Sequence, residues 1–377
     1  MGGRILILMC DSGGGHRSVA DAIAGALERL FPGKYQVELA DIMADGFSYP
    51  LNLAGQLYGP VVNRLPRAWG LLWHLTNGRR RSSVLLRVVS PLGAAKIKRL
   101  LLSGRPDLII STHPWANHIP ARLLANLGWK VPLVTVVTDI VSIHQWWLCP
   151  DVDLCLAPTE QVRQVALATG LAPERLKVIG LPVDLKFVDH SLPRAELRKE
   201  LGLVEDRFTV LLAGGAEGMG NVFAIARSVA QGSLDLQLLI VTGRNEELRA
   251  RLEGMPWDVP TRVMGFADNM PALMHAADLL ITKAGPSTIW EALACGLPML
   301  ISGSLRGQEE GNAEWVVERG AGLITPTPQE VAGALRKLLR PGKDTLPLMA
   351  ERARQAAKPD AALETARRID DLLGMTN

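Results

Sequence analysis

The residues best suited to chemistry lie in short stretches that each follow a strand-like apolar run. Gly285, Pro286, Ser287 and Thr288 open a helical pattern ending near Cys295 and Gly296. Proline suits the first helical position, where its missing N–H costs nothing. The free N–H groups, two hydroxyls and the helix dipole then form a seat for a diphosphate. Thr288 and Glu291 also fit a capping box. With Pro286 first in the helix, however, Glu291 falls in the second turn, too late for that box, and can serve a ligand such as the paired hydroxyls of a ribose.

Ser12-Gly13-Gly14-Gly15-His16 joins a strand-like run to a helical one, where glycines allow a close backbone approach to a ligand. It spells neither the G-x-G-x-x-G fingerprint nor a phosphate loop with G-K-[ST]. His16 is its titratable tip and would ordinarily ionise near working pH. A lone histidine is more often structural, and a plain tight turn accounts for one or two of the glycines. Gly214-Gly215-Ala216-Glu217-Gly218 repeats the geometry later in the chain, again with packing as the competing reading. Gln308, Glu309 and Asn312 cluster the amides and carboxylates that hold sugar hydroxyls. Acids that merely satisfy a helix dipole are the alternative there. Asp139 follows the run Val131–Thr138, as a strand-terminal ligand at the crevice edge or as a helix cap. His113 and His118 lack a companion carboxylate at ligand spacing, so no metal is assigned.

The elements that must position these groups alternate between strand and helix from end to end, which predicts parallel sheets in an α/β fold. Strands are expected at Arg4–Cys10, Leu108–Thr112, Val131–Thr138 and Asp153–Ala157. After a break near Leu181–Arg194, further strands are expected at Phe208–Ala213, Leu236–Thr242, Arg262–Gly265, Asp278–Thr282 and Pro298–Ser302. Val19, Ile23, Leu27 and Leu30 recur at helical spacing behind the first glycine loop. Two Rossmann-like halves, each opening with a strand and glycines, are the simplest arrangement, with a last helix over Asp360–Leu373. A chain of 377 residues with 48% hydrophobic content supports about two such cores.

Charge is distributed unevenly. No acidic residue lies between Asp45 and Asp107, a stretch holding ten of the 41 Lys and Arg; 31 remain elsewhere against all 38 Asp and Glu. Residues Gly46–Asn63 carry no charge, and Phe47, Tyr49, Tyr58, Trp69 and Trp73 adjoin the arginines. Pro50 and Pro60 exclude a spanning helix. An apolar, Trp-rich stretch beside arginines is the pattern of a segment lying on anionic lipid. A nucleic acid is the less fitting partner, and a solvated helix face is the plain alternative. The four cysteines are scattered without a C-x-x-C pair, arguing against a zinc site or a disulfide framework. The start Met-Gly-Gly-Arg-Ile-Leu reads as a first strand and not as a secretory signal, so an intracellular protein is expected.

In combination, Asp11 to His16, Val137-Thr138-Asp139 with His144 and Trp147, Gly214 to Gly220, Gly243-Arg244-Asn245, Gly265-Phe266, Thr282 to Thr288 with Glu291, and Gly307-Gln308-Glu309 with Gly311-Asn312 resemble the diacylglycerol glycosyltransferases related to monogalactosyldiacylglycerol synthase. These are relatives of the N-acetylglucosaminyltransferase that makes lipid II. One departure is Ser12, where the family loop often has threonine. The resemblance implies the GT-B fold, two Rossmann-like domains facing across a cleft. Residues 1–188 would face the acceptor and membrane, 189–358 would bind the nucleotide sugar, and 359–377 would form a helix packing back on the N-terminal domain. It implies an inverting, metal-independent transfer of a hexose from a UDP-sugar to diacylglycerol, with no cofactor and no nucleic acid. In that scheme uracil lies near Phe266 and Met270, Glu291 holds the ribose, and Ser287 and Thr288 hold the diphosphate. Gln308 and Glu309 hold the sugar, while Gly14, Gly15, Gly215, Arg244, Gly285, Pro286 and Asn312 complete the binding surface. His16 is the expected base and Asp139 the second choice. The expected place is the cytoplasm, peripherally bound to the inner face of the cell membrane. A UDP-sugar epimerase or hydrolase, a transferase acting on a polyprenyl-linked acceptor, and a non-catalytic binding protein are the rivals.

Overall fold

The computed structural model describes residues 3–189, 192–342 and 344–376. The chain forms two compact units, one of Met1–Asp184, Arg306–Gln308 and Lys358–Asn377, the other of Leu185–Leu305 and Glu309–Ala357. The chain is thus two Rossmann-like domains, each built on a six-stranded parallel sheet.

In the first unit the strands are β1 (Gly3–Met9), β2 (Tyr35–Asp41), β3 (Leu108–Ser111), β4 (Leu133–Val136), β5 (Leu154–Ala157) and β6 (Leu176–Val178), in the order β2-β1-β3-β4-β5-β6. Ile5 to Cys10 are buried, and Val19, Ile23 and Leu27 form the buried face of helix Gly15–Leu30 that the spacing anticipated. The helix Ala361–Thr376 packs on this same helix Gly15–Leu30. In the second unit β7 (Phe208–Ala213), β8 (Leu236–Val241), β9 (Thr261–Met264), β10 (Leu279–Lys283), β11 (Met299–Gly303) and β12 (Gly322–Ile324) lie in the order β12-β11-β10-β7-β8-β9. Val210, Leu212, Leu238, Ile240, Ile281 and Leu300 form a core with Val222, Ile225, Val229, Leu252, Val331 and Leu335 of the helices packed on that face.

The order reverses between β1 and β3 in one sheet and between β7 and β10 in the other. At such a switch point the outgoing loops diverge and leave a crevice at the carboxyl ends of the strands, where doubly wound sheets bind their ligands. The loops Ser12–Gly15 and Gly214–Gly218 open from β1 and β7, and Thr112 and Lys283 stand at the ends of β3 and β10.

Three strands were not expected: β2, β6 and β12. All three are sheet edges. β2 is half-solvated, and its alternation of Tyr35, Val37 and Leu39 with Gln36 and Glu38 was a signal that went unused, while β6 and β12 span only three residues each and give no run length to mark them. The uncharged and basic stretch between β2 and β3 becomes three helices, Ala54–Arg64, Pro66–Thr76 and Arg79–Gly104. Among the described residues no helix is long and apolar enough to cross a membrane.

Candidate functional site

At the first switch point two consecutive glycines, Gly13 at φ 67° and Gly14 at φ 79°, turn the chain through the left-handed region into the helix that His16 joins in its first turn. Thr112, just past β3, holds His16 from both sides. Its carbonyl lies 2.8 Å from His16 Nδ1, and its hydroxyl donates to the His16 carbonyl at 3.1 Å. A carbonyl can only accept, so Nδ1 carries the proton and Nε2 the lone pair. The same Nδ1–H lies 3.0 Å from Thr138 Oγ1. The His16 ring meets the ring of His113 at 4.6 Å, edge to face, and that of Trp147 at 6.1 Å.

Burial of the ring pushes the His16 pKa down to about 4, against the opposing pull of the Thr112 carbonyl and the Asp41 carboxylate. His113 is driven well below its ordinary value, first by burial and then by His16. Both imidazoles are therefore neutral at neutral pH. Asp139 is buried, and its Oδ2 accepts from Trp147 Nε1 at 2.7 Å, so the two expected acid–base residues flank one indole. Thr112, His113 and Thr138 had no assigned role in the chemistry. The signal for the threonines was present, since each is the last residue of an expected strand at the ligand end of the sheet.

At the second switch point the helix Pro286–Ala294 starts with Pro286 in its first turn and Gly285 as the flanking residue, with no side-chain cap. The competing capping box of Thr288 and Glu291 is absent, and Pro286, Ser287, Thr288 and Glu291 are all partly exposed. Phe266 is 51% exposed, with the Arg244 guanidinium 4.8 Å from its ring centre. Arg244 also pairs with Glu217 at 2.9 Å, and its N–H donates to the Ala216 carbonyl. Met270, partly exposed, opens the helix that follows.

The glycines of this loop divide into two kinds. A Cβ on Gly218 would fall 2.2 Å from the Thr242 carbonyl, and one on Gly243 2.2 Å from that of Ala216, so these two serve close packing of loop on loop. A Cβ on Gly215 would meet the Lys283 side chain at 3.4 Å.

Two residues expected on the sugar are differently engaged. Glu309 is 3% exposed; its Oε1 pairs with the Lys283 ammonium and its Oε2 accepts from the Leu305 N–H at 2.8 Å. A buried carboxylate must be paired and hydrogen-bonded, and both its oxygens are spent on that. Asn312 is fully buried and donates to the Ala284 carbonyl at 2.9 Å, tethering the loop before Gly285. Gln308 groups with the first unit, where its Oε1 accepts from the Tyr58 hydroxyl at 3.5 Å.

Comparison with known proteins matches the two halves of the chain to two family models. The family model of monogalactosyldiacylglycerol synthase matches residues 16–183, and that of the glycosyltransferase family 28 C-terminal domain matches residues 209–368. A probable chloroplastic monogalactosyldiacylglycerol synthase of Nicotiana tabacum is 37% identical over 99% of this chain and 71% of its own length. The chloroplastic synthase of Spinacia oleracea is also 37% identical, over 98% and 72%. Among solved structures, MurG of Acinetobacter baumannii superposes with a TM-score of 0.62 at 16% identity, covering 98% of this chain and 100% of that one. HepE of Anabaena in complex with UDP-glucose superposes at 0.60 and 18% identity, covering 99% and 100%. The relatives named chloroplastic overturn the expected address on the inner face of a cell membrane.

Proposed function

Because the chain belongs to the monogalactosyldiacylglycerol synthase family, a family of glycosyltransferases acting on diacylglycerol, we propose that it moves a hexose from a UDP-sugar to the free hydroxyl of diacylglycerol with inversion at the anomeric carbon. The observation that carries this reading is the His16 imidazole, neutral and fixed by the Thr112 carbonyl so that Nε2 holds the lone pair.

In this reading Nε2 takes the proton of the acceptor hydroxyl as its oxygen attacks the anomeric carbon. The bond from that carbon to the β-phosphate oxygen breaks, and UDP leaves with the electron pair. The negative charge growing on UDP falls at the start of the helix Pro286–Ala294, whose free N–H groups and dipole stabilise it. Glu291 binds the ribose hydroxyls, and the exposed Phe266 ring stacks the base. Asp139 keeps Trp147 in place beside His16 and is the secondary candidate for the base. Base and charge stabilisation are each worth roughly 10²-fold or more.

The acceptor side rests on the helices between β2 and β3. Ten of the 18 large apolar side chains exposed among the described residues fall between Tyr49 and Leu102. Val84, Val88 and Leu92 form one exposed stripe of the helix Arg79–Gly104, while Ser82, Ser90 and Gly93 face inward with Ile97 and Leu101. This helix thus shows apolar side chains outward, the reverse of an ordinary surface helix. Leu75, Thr76, Arg80, Arg81, Val84, Leu85 and Val88 line an open groove of about 420 Å³. Nine of the ten basic residues are exposed, and Lys96 instead donates to the Phe47 carbonyl at 2.7 Å. Leucine and valine beside arginine suit an anionic lipid surface, where a basic residue contributes about 1 kcal/mol.

The direct test incubates the protein with diacylglycerol vesicles and, separately, UDP-glucose, UDP-galactose and UDP-N-acetylglucosamine, and identifies the product by mass. A monohexosyl diacylglycerol is expected, from UDP-galactose if the family name holds for this chain. Sugar release or isomerisation without any glycolipid would sink the proposal. Flotation with anionic vesicles at low salt separately tests the lipid surface, which requires binding that weakens as salt rises.

A further inference from the structure

Lys283 ends β10 at an irregularity of the sheet. Thr282 pairs with Ile301, but Lys283 pairs with Gly303, so Ser302 is the extra residue of a bulge on β11. A bulge bends its strand and re-aims side chains, and bulges concentrate at functional sites. Here the Lys283 side chain runs between two glycines. Its Cε lies 3.4 Å from where a Cβ on Gly215 would stand, and its Nζ 3.1 Å from the equivalent point on Gly285. These glycines belong to the two loops that leave the switch point, one after β7 and one before the helix Pro286–Ala294. Lysine is 16% exposed and its partner Glu309 only 3%, so the carboxylate is the deeper charge and the ammonium the outer one. Glu309 engages one of the three ammonium N–H groups, and its second oxygen is occupied by Leu305 N–H.

We propose that Lys283 is the cation that recognises the second phosphate of the nucleotide diphosphate, and that Glu309 is its positioning residue and not a ligand of the sugar. The proposal rests on the nucleotide-sugar reading given above. An ammonium binds phosphate as a point charge, which suits a group reaching past glycine loops that supply the directional N–H donors. A buried Lys–Glu pair adds little to stability over an apolar pair of the same size, so stability alone is a weak reason for one at the mouth of a ligand crevice. The free helix start beside it offers the same phosphate its dipole.

The test compares UDP with UMP by titration calorimetry on the full chain. Lys283→Met alone would strand the Glu309 carboxylate in the interior, so the informative variant is Lys283→Met with Glu309→Gln, which leaves no unpaired charge. It should keep the wild-type unfolding temperature and bind UMP within about threefold of wild type. UDP binding should weaken about 10- to 100-fold, the range of a charge-assisted hydrogen bond, so that the preference for UDP over UMP collapses. Lys283→Arg should recover most of that preference. A folded double variant with an unchanged UDP-to-UMP ratio overturns the proposal, as does a wild-type protein that binds both nucleotides equally. A wild type that binds neither overturns the nucleotide-sugar reading itself, and the role of Lys283 falls with it.

Discussion

The two units each carry a six-stranded parallel sheet with a switch point beside its first strand, but they equip that point oppositely. Between β1 and β3 the crevice is walled by His16, His113, Thr112, Thr138 and Trp147, groups that are neutral and closely packed. Between β7 and β10 it is walled by glycines, an uncapped helix start and a Lys283–Glu309 ion pair. The fold therefore specifies where a ligand goes and leaves its chemistry to the few residues at the strand ends. A neutral imidazole with a fixed tautomer can take a proton. A helix start with a lysine beside it can hold an anion.

The contrast between the units breaks most sharply at His16. His16→Ala should lower turnover by roughly 10²- to 10⁴-fold, the usual span for a positioned general base, and leave UDP affinity within about twofold. A variant retaining more than a tenth of wild-type turnover would move the base elsewhere, Asp139 being next in line. The converse change lies in the second unit. Glu291→Ala should weaken UDP by about 10-fold, as expected when a carboxylate that accepts hydrogen bonds from two hydroxyls is removed. It should do so without altering the pH profile of turnover, and a shifted profile would mean that Glu291 takes part in proton transfer.

How much of this was legible in the sequence follows the same division. Strands buried on both faces were plain as apolar runs, and Phe208–Ala213 was placed to the residue. The edges β2, β6 and β12 were not, because pairing on one side leaves them short or half-solvated. In the second site Pro286 sufficed to place the helix start, since a backbone rule acts locally in sequence. The partners of Glu309 and Asn312 were not legible, because Lys283, Leu305 and Ala284 come to them through the turns after β10 and β11, which spacing along the chain does not reveal. Lys283 stood within the segment read as a nucleotide-sugar site, but its pairing was hidden for the same reason, its direction being set by a change of register between two strands.

Acid should separate the two units by stability. His16, His118 and His144 have pKa values pushed down to about 4 by burial, and His113 is also driven well below its ordinary value; all four belong to the first unit. In the unfolded chain each titrates near 6.5, so below that pH the unfolded state binds more protons and folding is penalised. Stability is full above about pH 6.5 and falls as the pH drops toward 4. The loss amounts to several kcal/mol in total, because a tenfold difference in proton affinity between the folded and unfolded chain is worth roughly 1.4 kcal/mol. Denaturant midpoints should therefore drop between pH 7 and pH 5, and protease cleavage of the partly unfolded protein at pH 5 should begin in residues 1–184. Equal midpoints at the two pH values, or first cleavage in the second unit, would contradict the burial of these imidazoles.

The finest distinction concerns how firmly the His16 tautomer is held. The Thr112 carbonyl at 2.8 Å suffices to keep the proton on Nδ1, and Thr138 Oγ1 at 3.0 Å shares the same N–H. Thr138→Val removes the second acceptor at nearly constant volume and leaves the first. Turnover should fall only about two- to fivefold, in line with a neutral hydrogen bond worth about 1 kcal/mol, with UDP affinity unchanged. A loss approaching that of His16→Ala would instead make the threonine hydroxyl the main determinant of the tautomer. It would also mean that the backbone carbonyl alone does not fix the ring, and the contrast between the two switch points would then rest on side chains at the ends of both β3 and β4.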